Sequence, residues 1–371
     1  MVVYSPDLLF IEMTKACDYS CLHCRASSIR FPSRTDLGMK DINEIISSIG
    51  KLSELTGRPP HVILTGGDPL MSPSFRDTVS ALHDSSVGFS VSPAVTEKLN
   101  TDMLSFLMDK GMNSMSISLD GQPEIHDEIR KCNGLFRETL FSMSTIKDFG
   151  IKLQINSTVM RRNLMDFPFI LKILREYQIR TWEVFFLIGT GRGKGEKPIL
   201  NIESEDFLKY LLHVEASGTA VRTVEAPEYR RIKQMAMEGA TMTGGGIFRE
   251  LIKRSEEINV TGLLRSQIFP TNGRKIRTAF VSSNGDVSVS GLFNLKLGNI
   301  REDPLQNVLE NNEILMNIES GDMFHGKCGR CRYRKICGGS RARAFAEKND
   351  YLESDSLCAY SPEINEDVIA A

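Results

Sequence analysis

The chain has 371 residues, of which 41% are hydrophobic and 25% charged, with a formal net charge of −2. This composition fits a soluble globular protein with one large domain plus a smaller one, or two to three modest ones; it excludes a global basic field for nucleic acid or anionic membrane. No apolar run approaches the roughly 18–20 residues that span a bilayer. The first residues lack the charged-then-apolar pattern of a secretion signal, so the expected compartment is the cytoplasm. Thiols stay reduced there, and seven of the eight cysteines fall into two tight groups; metal ligation is therefore expected rather than disulfides.

In chain order, residues 8–13 read as a first strand. Cys17, Cys21 and Cys24 follow in a loop, then a helical pattern over 41–56. A second strand over 61–64 runs into the turn Thr65-Gly66-Gly67-Asp68-Pro69, then a helix near 75–84. Strands over 87–91 and 113–119, separated by a helix over 102–110, precede two more at 152–159 and 181–188. Strands alternating with helices of 10–15 residues predict right-handed βαβ units and a parallel sheet. The expected class is α/β, a partial (β/α)6 TIM-like barrel over residues 1–200 with its chemistry at the C-terminal strand ends. Residues 201–270 read as a helical bridging region interrupted by Gly244-Gly245-Gly246. A hairpin is expected over 276–290, with Asn284-Gly285 in a type I′ turn. Residues 271–371 then form a separate α+β module carrying Cys328, Cys331, Cys337 and Cys358.

Three thiolates on one short loop can hold three irons of a [4Fe–4S] cube and leave the fourth iron free. A zinc site with His23 as fourth ligand is the alternative, although His23 abuts Cys24 and joint ligation would be strained. The four C-terminal thiolates can close either a cluster or a zinc site, and spacing leaves both open. Gly189-x-Gly191-x-Gly193 lacks the βαβ context and ribose-binding acid of a dinucleotide loop. Cys132, the eighth cysteine, reads as a small buried hydrophobe, with a catalytic role as the rarer reading.

With CxxxCxxC directly after the first strand and Gly66-Gly67-Asp68 after the second, the chain resembles the radical S-adenosylmethionine (SAM) superfamily. The resemblance implies that Cys17, Cys21 and Cys24 ligate a catalytic cluster whose free iron chelates SAM. One electron then yields methionine and a 5′-deoxyadenosyl radical that abstracts a substrate hydrogen, the electron coming from a flavodoxin- or ferredoxin-type donor. Gly66, Gly67 and Asp68 match the GGE-type segment that contacts the SAM amino group, chiefly through backbone; Asp68 stands where Glu is commoner. Ser118 and Asp120 would lie near the SAM ribose and carboxylate, with Asn156 and Ser157 as further candidates. Leu187 would support the adenine, and Arg192 would clamp a carboxylate of SAM or substrate. For each of these strand-end residues, simple capping is the competing reading.

The C-terminal cysteines, the hairpin and Leu297-Gly298-Asn299-Ile300 resemble the SPASM/twitch extension of such barrels. Fuller extensions hold two auxiliary clusters; here Arg341 and Ser290 stand at positions of cysteines that serve the first. The implied complement is one auxiliary [4Fe–4S] cluster, closed by Cys328, Cys331, Cys337 and Cys358. The tail around Cys337–Phe345 resembles the SPASM branch that trims side chains of sirohaem-derived tetrapyrroles in the alternative haem and haem d1 routes. Segments such as Trp182–Phe186 and Thr223–Pro227 sit closer to an uncharacterised neighbouring subfamily. Arg192, Arg230, Arg231, Arg341 and Arg343 are candidates for tetrapyrrole carboxylates, against the plainer reading of helix arginines paired with acids. Peptide modification is the second reading. It is disfavoured by a first strand that begins near residue 8, without room for a preceding peptide-binding domain. A non-catalytic zinc or iron–sulfur scaffold is the third.

Overall fold

The computed structural model describes residues 4–260 and 278–362. Its first half follows the strand–helix alternation of the sequence. Strands β1 (Leu8–Glu12), β2 (His61–Thr65), β3 (Phe89–Val91), β4 (Ser114–Ser118), β5 (Lys152–Val159) and β6 (Thr181–Phe186) lie side by side in that order, all parallel. Their side chains alternate between two environments. Met115, Ile117, Ile155, Trp182 and Val184 are buried beneath the helices, whereas Ser114, Ser116, Ser118, Gln154, Asn156 and Glu183 face inward and keep some exposure.

Helix periodicity explains the outer layer. Helix α1 (Met39–Thr56) buries Ile42, Ile45, Ile49 and Leu52, one stripe at helical spacing. The Asp41 carboxylate accepts from the Gly38 N–H at its start, and Gly57 at φ +81° ends it. Helices α2 (Phe75–Asp84), α3 (Thr101–Asp109), α4 (Pro123–Arg130) and α5 (Leu135–Asp148) complete the crossovers as far as β5. Helix α6 (Phe167–Glu176) stacks Phe167 on Trp182, with ring centroids 5.3 Å apart.

Two expectations change at the edges of this sheet. The stretch read as a helical bridge holds α7 (Asn201–Ala216), α8 (Glu228–Met237) and α9 (Gly246–Glu257), but also strand β7 (Ala220–Val224), parallel to β6. A five-residue strand with Arg222 and Thr223 in its middle carries little local signal; it forms because the edge of β6 offers unpaired backbone. The hairpin is likewise not detached. Its first strand, β8 (Thr278–Val281), pairs parallel with β1 and so continues the sheet, followed antiparallel by β9 (Asp286–Ser288) and β10 (Gly298–Asn299). Residues 276–277 of that expected hairpin lie outside the described residues. The turn is not type I′, because Asn284 does not adopt positive φ. The Gly285 N–H donates to the Ser282 carbonyl and Gly285 sits at φ +88°, which is a turn followed by one left-handed residue. Short helices α10 (Leu305–Leu309), α11 (Glu313–Ser320) and α12 (Gly326–Arg330), then α13 (Arg341–Lys348), complete the cysteine-rich end.

No described helix is long and apolar enough to cross a membrane.

Candidate functional site

The loop after β1 is held from three sides. From β2, the Gly67 N–H donates to the Thr14 carbonyl and the Asp68 N–H to that of Ala16. A Cβ on Gly66 or Gly67 would stand 2.4 Å from those same carbonyls, so the glycines are required by backbone-on-backbone packing against the cysteine loop. From the β6 end, Gly191 at φ +52° touches the Cys24 and Arg25 carbonyls, where a Cβ would approach to 2.3 Å. Arg192 follows: its N–H donates to the Cys24 carbonyl, Nε to that of Cys21, and the guanidinium ends to the carbonyl and hydroxyl of Ser28. The expected carboxylate clamp is thus a clamp on the cysteine loop. From α4, Arg130 spans the Asp120 carboxylate and the Cys21 sulfur, 3.8 Å from Nη1.

Cys17 and Cys21 are buried and Cys24 half-buried, all three as free thiols. Burial pushes the Cys17 thiol up to about 12 and raises Cys21; the neighbouring thiols of the loop push both in the same direction. Thiols so placed stay protonated until a metal displaces the proton. Donors to sulfur are already aimed: the Tyr19 N–H at Cys17, 3.4 Å away, and the Arg130 guanidinium at Cys21. Among the described residues, no three His, Cys, Asp or Glu side chains gather as ligands of one ion. His23, the fourth ligand of the zinc alternative, instead directs Nε2 towards Asp120 Oδ2 at 4.0 Å.

Asp120 is fully buried. Burial works to raise its carboxyl, and the Arg130 guanidinium overcomes that and holds it below the usual carboxylate range. It also accepts from the Thr158 N–H at 2.8 Å, while its own N–H donates to His126 Nδ1. Asp68 is buried too, bonded to the Leu70 N–H and the Thr96 hydroxyl at 3.1 Å each, and burial raises its carboxyl to about 6. Ser157, a SAM candidate from sequence, faces away from the barrel interior; its hydroxyl receives the Trp182 indole N–H and donates to the Leu119 carbonyl. Asn156 and Ser118 do face the interior, Asn156 accepting from Gln154, which also donates to Glu183. Leu187 packs with Ile129 and Met160 in a small apolar cluster beside the cysteine loop. Cys132 is half-buried at the edge of the main core.

At the other end, Cys328, Cys331, Cys337 and Cys358 line one small cleft together with Arg231, Gly338, Gly339 and Tyr360. Gly338 and Gly339 both take positive φ, and a Cβ on Gly339 would lie 3.0 Å from the Cys328 sulfur, so the tight turn clears room for the thiol. The Gly339 N–H faces Cys337 Sγ at 3.4 Å and the Asp355 N–H faces Cys328 Sγ at 3.5 Å. Arg341, standing at a cysteine position of fuller extensions, brings Nη2 to 3.7 Å from Cys328 Sγ and donates to the Tyr351 and Glu353 carbonyls. Ser290, at the other such position, donates to Glu225, which also accepts from the Ser340 hydroxyl at 2.5 Å. Hydrogen bonds therefore engage both Arg341 and Ser290, the two residues expected from the resemblance to stand in place of cysteines.

Of the expected tetrapyrrole-binding arginines, three are committed to this frame. Arg343 pairs with buried Asp355 at 3.0 Å, Arg231 is buried against Glu205, and Arg341 is used as above. Arg230 sits half-buried on α8. Sequence reasoning passed over Arg130, Glu225 and the buried Glu228–Asp355 pair. In that pair, burial and Asp355 drive the Glu228 carboxyl far upward, whereas Arg343 offsets the burial of Asp355 and keeps it low. Only their spacing from the cysteines marks such residues, and that becomes readable after folding.

Residues 11–174 match the Radical SAM superfamily. The chain is 30% identical over 361 residues to an AdoMet-dependent heme synthase of Methanosarcina barkeri, covering 96% of this chain and 97% of that one. It is 22% identical over 357 residues to a pre-heme d1 synthase of Dinoroseobacter shibae, covering 94% and 84%. In fold it is similar to Streptococcus suis SuiB bound to S-adenosylmethionine, with a TM-score of 0.66, 17% identity, and coverage of 96% and 78%.

Proposed function

Since the chain belongs to the radical SAM superfamily, an enzyme family of radical chemistry, we propose that it removes or decarboxylates a carboxyl-bearing side chain of an iron tetrapyrrole. The observation that carries this reading is the likeness to the heme synthase, which runs the length of both chains and so spans both cysteine groups.

When bound at the N-terminal loop, SAM and a [4Fe–4S] cluster supply one-electron bond cleavage and a hydrogen-abstracting radical. The chain's own residues do the rest. Cys17, Cys21 and Cys24 ligate; Arg130 and Arg192 hold the loop in one shape, and Arg130 places positive charge beside the Cys21 sulfur. The Gly66-Gly67-Asp68 segment, Ser118 and Asn156 are the proposed SAM contacts, joined by Leu187 as an apolar wall. Asp120 reaches SAM only through the loop it steadies. Leu187, Ile129 and Met160 keep water from the mouth. Cys328, Cys331, Cys337 and Cys358 close one auxiliary cluster, without an open iron for substrate. A small flavodoxin- or ferredoxin-type protein is the proposed electron donor.

Peptide modification is the second reading, favoured by 21% identity over 362 residues to a PqqA peptide cyclase of Bradyrhizobium diazoefficiens. Anaerobically reconstituted protein incubated with didecarboxysirohaem or iron coproporphyrin III, SAM and dithionite separates the two. Loss of side-chain mass together with 5′-deoxyadenosine formation is expected. Cleavage of SAM with both macrocycles unchanged would reject the tetrapyrrole reading.

A further inference from the structure

Arg231 lies on α8, far in sequence from the C-terminal cysteines, yet it lines the same cleft as all four of them. It is 1% exposed, and its guanidinium rests over the Tyr360 ring, 4.9 Å from the centroid, on the wall of that cleft. Its acid partner is Glu205 on α7, bonded at 2.5 and 3.1 Å, which is not a lining residue. The pair therefore presents its positive end to the thiols. Two more cations line the cleft. Lys327 donates its ammonium to the Cys358 carbonyl; Arg334 donates Nη1 to that of Gly329 at 2.7 Å, with exposed Asp322 3.6 Å from its Nη2. Among the described residues that line the cleft, none is Asp or Glu. The acids behind the wall are answered: Asp355 pairs with Arg343, while burial and Asp355 drive the Glu228 carboxyl far upward, into its neutral form. Burial pushes the Cys358 thiol up to about 12, and the charges of Arg231 and Lys327 act in the opposite direction.

We propose that this wall sets the reduction potential of the auxiliary cluster: Arg231, assisted by Lys327 and Arg334, stabilises the reduced form and raises its potential. The proposal rests on the reading of Cys328, Cys331, Cys337 and Cys358 as ligands of one [4Fe–4S] cluster. One electron from dithionite or a low-potential protein donor reduces such a cluster, and the thiolate-bound core gains one negative charge. A cation fixed beside it favours the reduced form over the oxidised one, and the difference is read as a higher potential. Burial decides which cation matters most. Arg231 is withdrawn from solvent, so its field is weakly screened, whereas half-buried Lys327 and Arg334 are partly screened by salt. A guanidinium also stays charged at any working pH, so the effect of Arg231 does not fade as pH rises. The charge comes from α8, outside the cysteine-bearing segment; ligation and poise are thus encoded in separate parts of the chain.

The test is a potentiometric titration, followed by electron paramagnetic resonance, of the full chain carrying Cys17→Ala, Cys21→Ala and Cys24→Ala, in which only the C-terminal cluster remains. In that background Arg231→Met/Glu205→Gln, which removes the whole ion pair, is compared with Arg231→Lys, Lys327→Gln and Arg334→Gln, and iron content is measured for each. For Arg231→Met/Glu205→Gln the expected result is about a tenfold fall in the ratio of reduced to oxidised cluster at fixed potential, a shift of about −59 mV. Arg231→Lys should keep most of the parent potential, an outcome that a merely structural role does not predict. Lys327→Gln and Arg334→Gln should shift it less, by amounts that shrink between about 0.1 and about 1 M salt. An unchanged potential in iron-loaded Arg231→Met/Glu205→Gln would overturn the proposal and leave the cluster reading standing. Should the Arg231 variants lose their iron, the other two decide, and an unchanged potential in both overturns it likewise. Zinc, or no metal, in the triple-cysteine background would overturn both the proposal and the cluster reading.

Discussion

The two cysteine sites solve different problems with similar parts. On the loop after β1, three thiols sit on irregular backbone that owes its shape to neighbours: Gly67 and Asp68 from one strand end, Gly191 and Arg192 from another, Arg130 from α4. In the C-terminal module, four thiols line one small cleft, supported largely by residues near them in sequence, Gly339, Arg341 and Asp355. A three-thiol site must keep a face open for a ligand, so its rigidity has to be imported from the barrel. A four-thiol site can close on itself, and contacts near in sequence carry more of it, with Arg231 and Glu225 as the remote supports.

The strongest way to break this contrast is to remove the thiols. Replacing Cys17, Cys21 and Cys24 by alanine should abolish SAM cleavage and reduce the iron content from about eight to about four per chain. Cys337→Ala should lower iron by a similar amount yet leave dithionite-driven SAM cleavage measurable. Equal loss of cleavage in both variants would show that the two sites are not independent.

Imported rigidity predicts a large cost at Arg130. Arg130→Met leaves Asp120 buried without its cation, expected to destabilise by about 3–5 kcal/mol in denaturant titration. The double variant Arg130→Met/Asp120→Asn should recover part of that loss. At Gly191, alanine must adopt positive φ, worth about 1–2 kcal/mol, and meet the Arg25 carbonyl as well. Its midpoint should fall accordingly, with loss of iron confined to the N-terminal site.

The smallest expected effect is a pH dependence. Folding raises the Asp68 carboxyl to about 6, above its ordinary value of 3.8. Its contribution to stability is therefore complete below pH 3.8 and declines as pH rises through about 6. Comparison of wild type with Asp68→Asn between pH 4 and 8 should show the wild type losing stability relative to the variant over that window. A parallel pair of curves would mean that Asp68 is solvated.

The element pattern was legible where periodicity was strong. Helix α1, with its four apolar residues in one stripe, and β5, at 152–159, match the expectation to within two residues at each end. β7 was lost because its five residues carry no pattern of their own. The hairpin was located correctly, yet its parallel pairing with β1 joins residues some 270 positions apart, which no local signal encodes.

For the site, the sequence by itself supplied the candidate ligands and their spacing: three thiols on one loop, four near the C-terminal end, and the glycine-rich turn after β2. These are local facts, since ligand spacing and backbone permissiveness are set within a few residues. Only the tertiary structure decided which charges serve the cysteines. Arg192, Arg341 and Arg343 looked like hands extended to a ligand and proved to be fastened to the protein's own carbonyls, sulfur and acid. A guanidinium reaches whichever acceptor folding brings close: for Arg192 the carbonyls lie 171 and 164 residues away, whereas for Arg341 and Arg343 the sulfur and the acid lie 13 and 12 residues away.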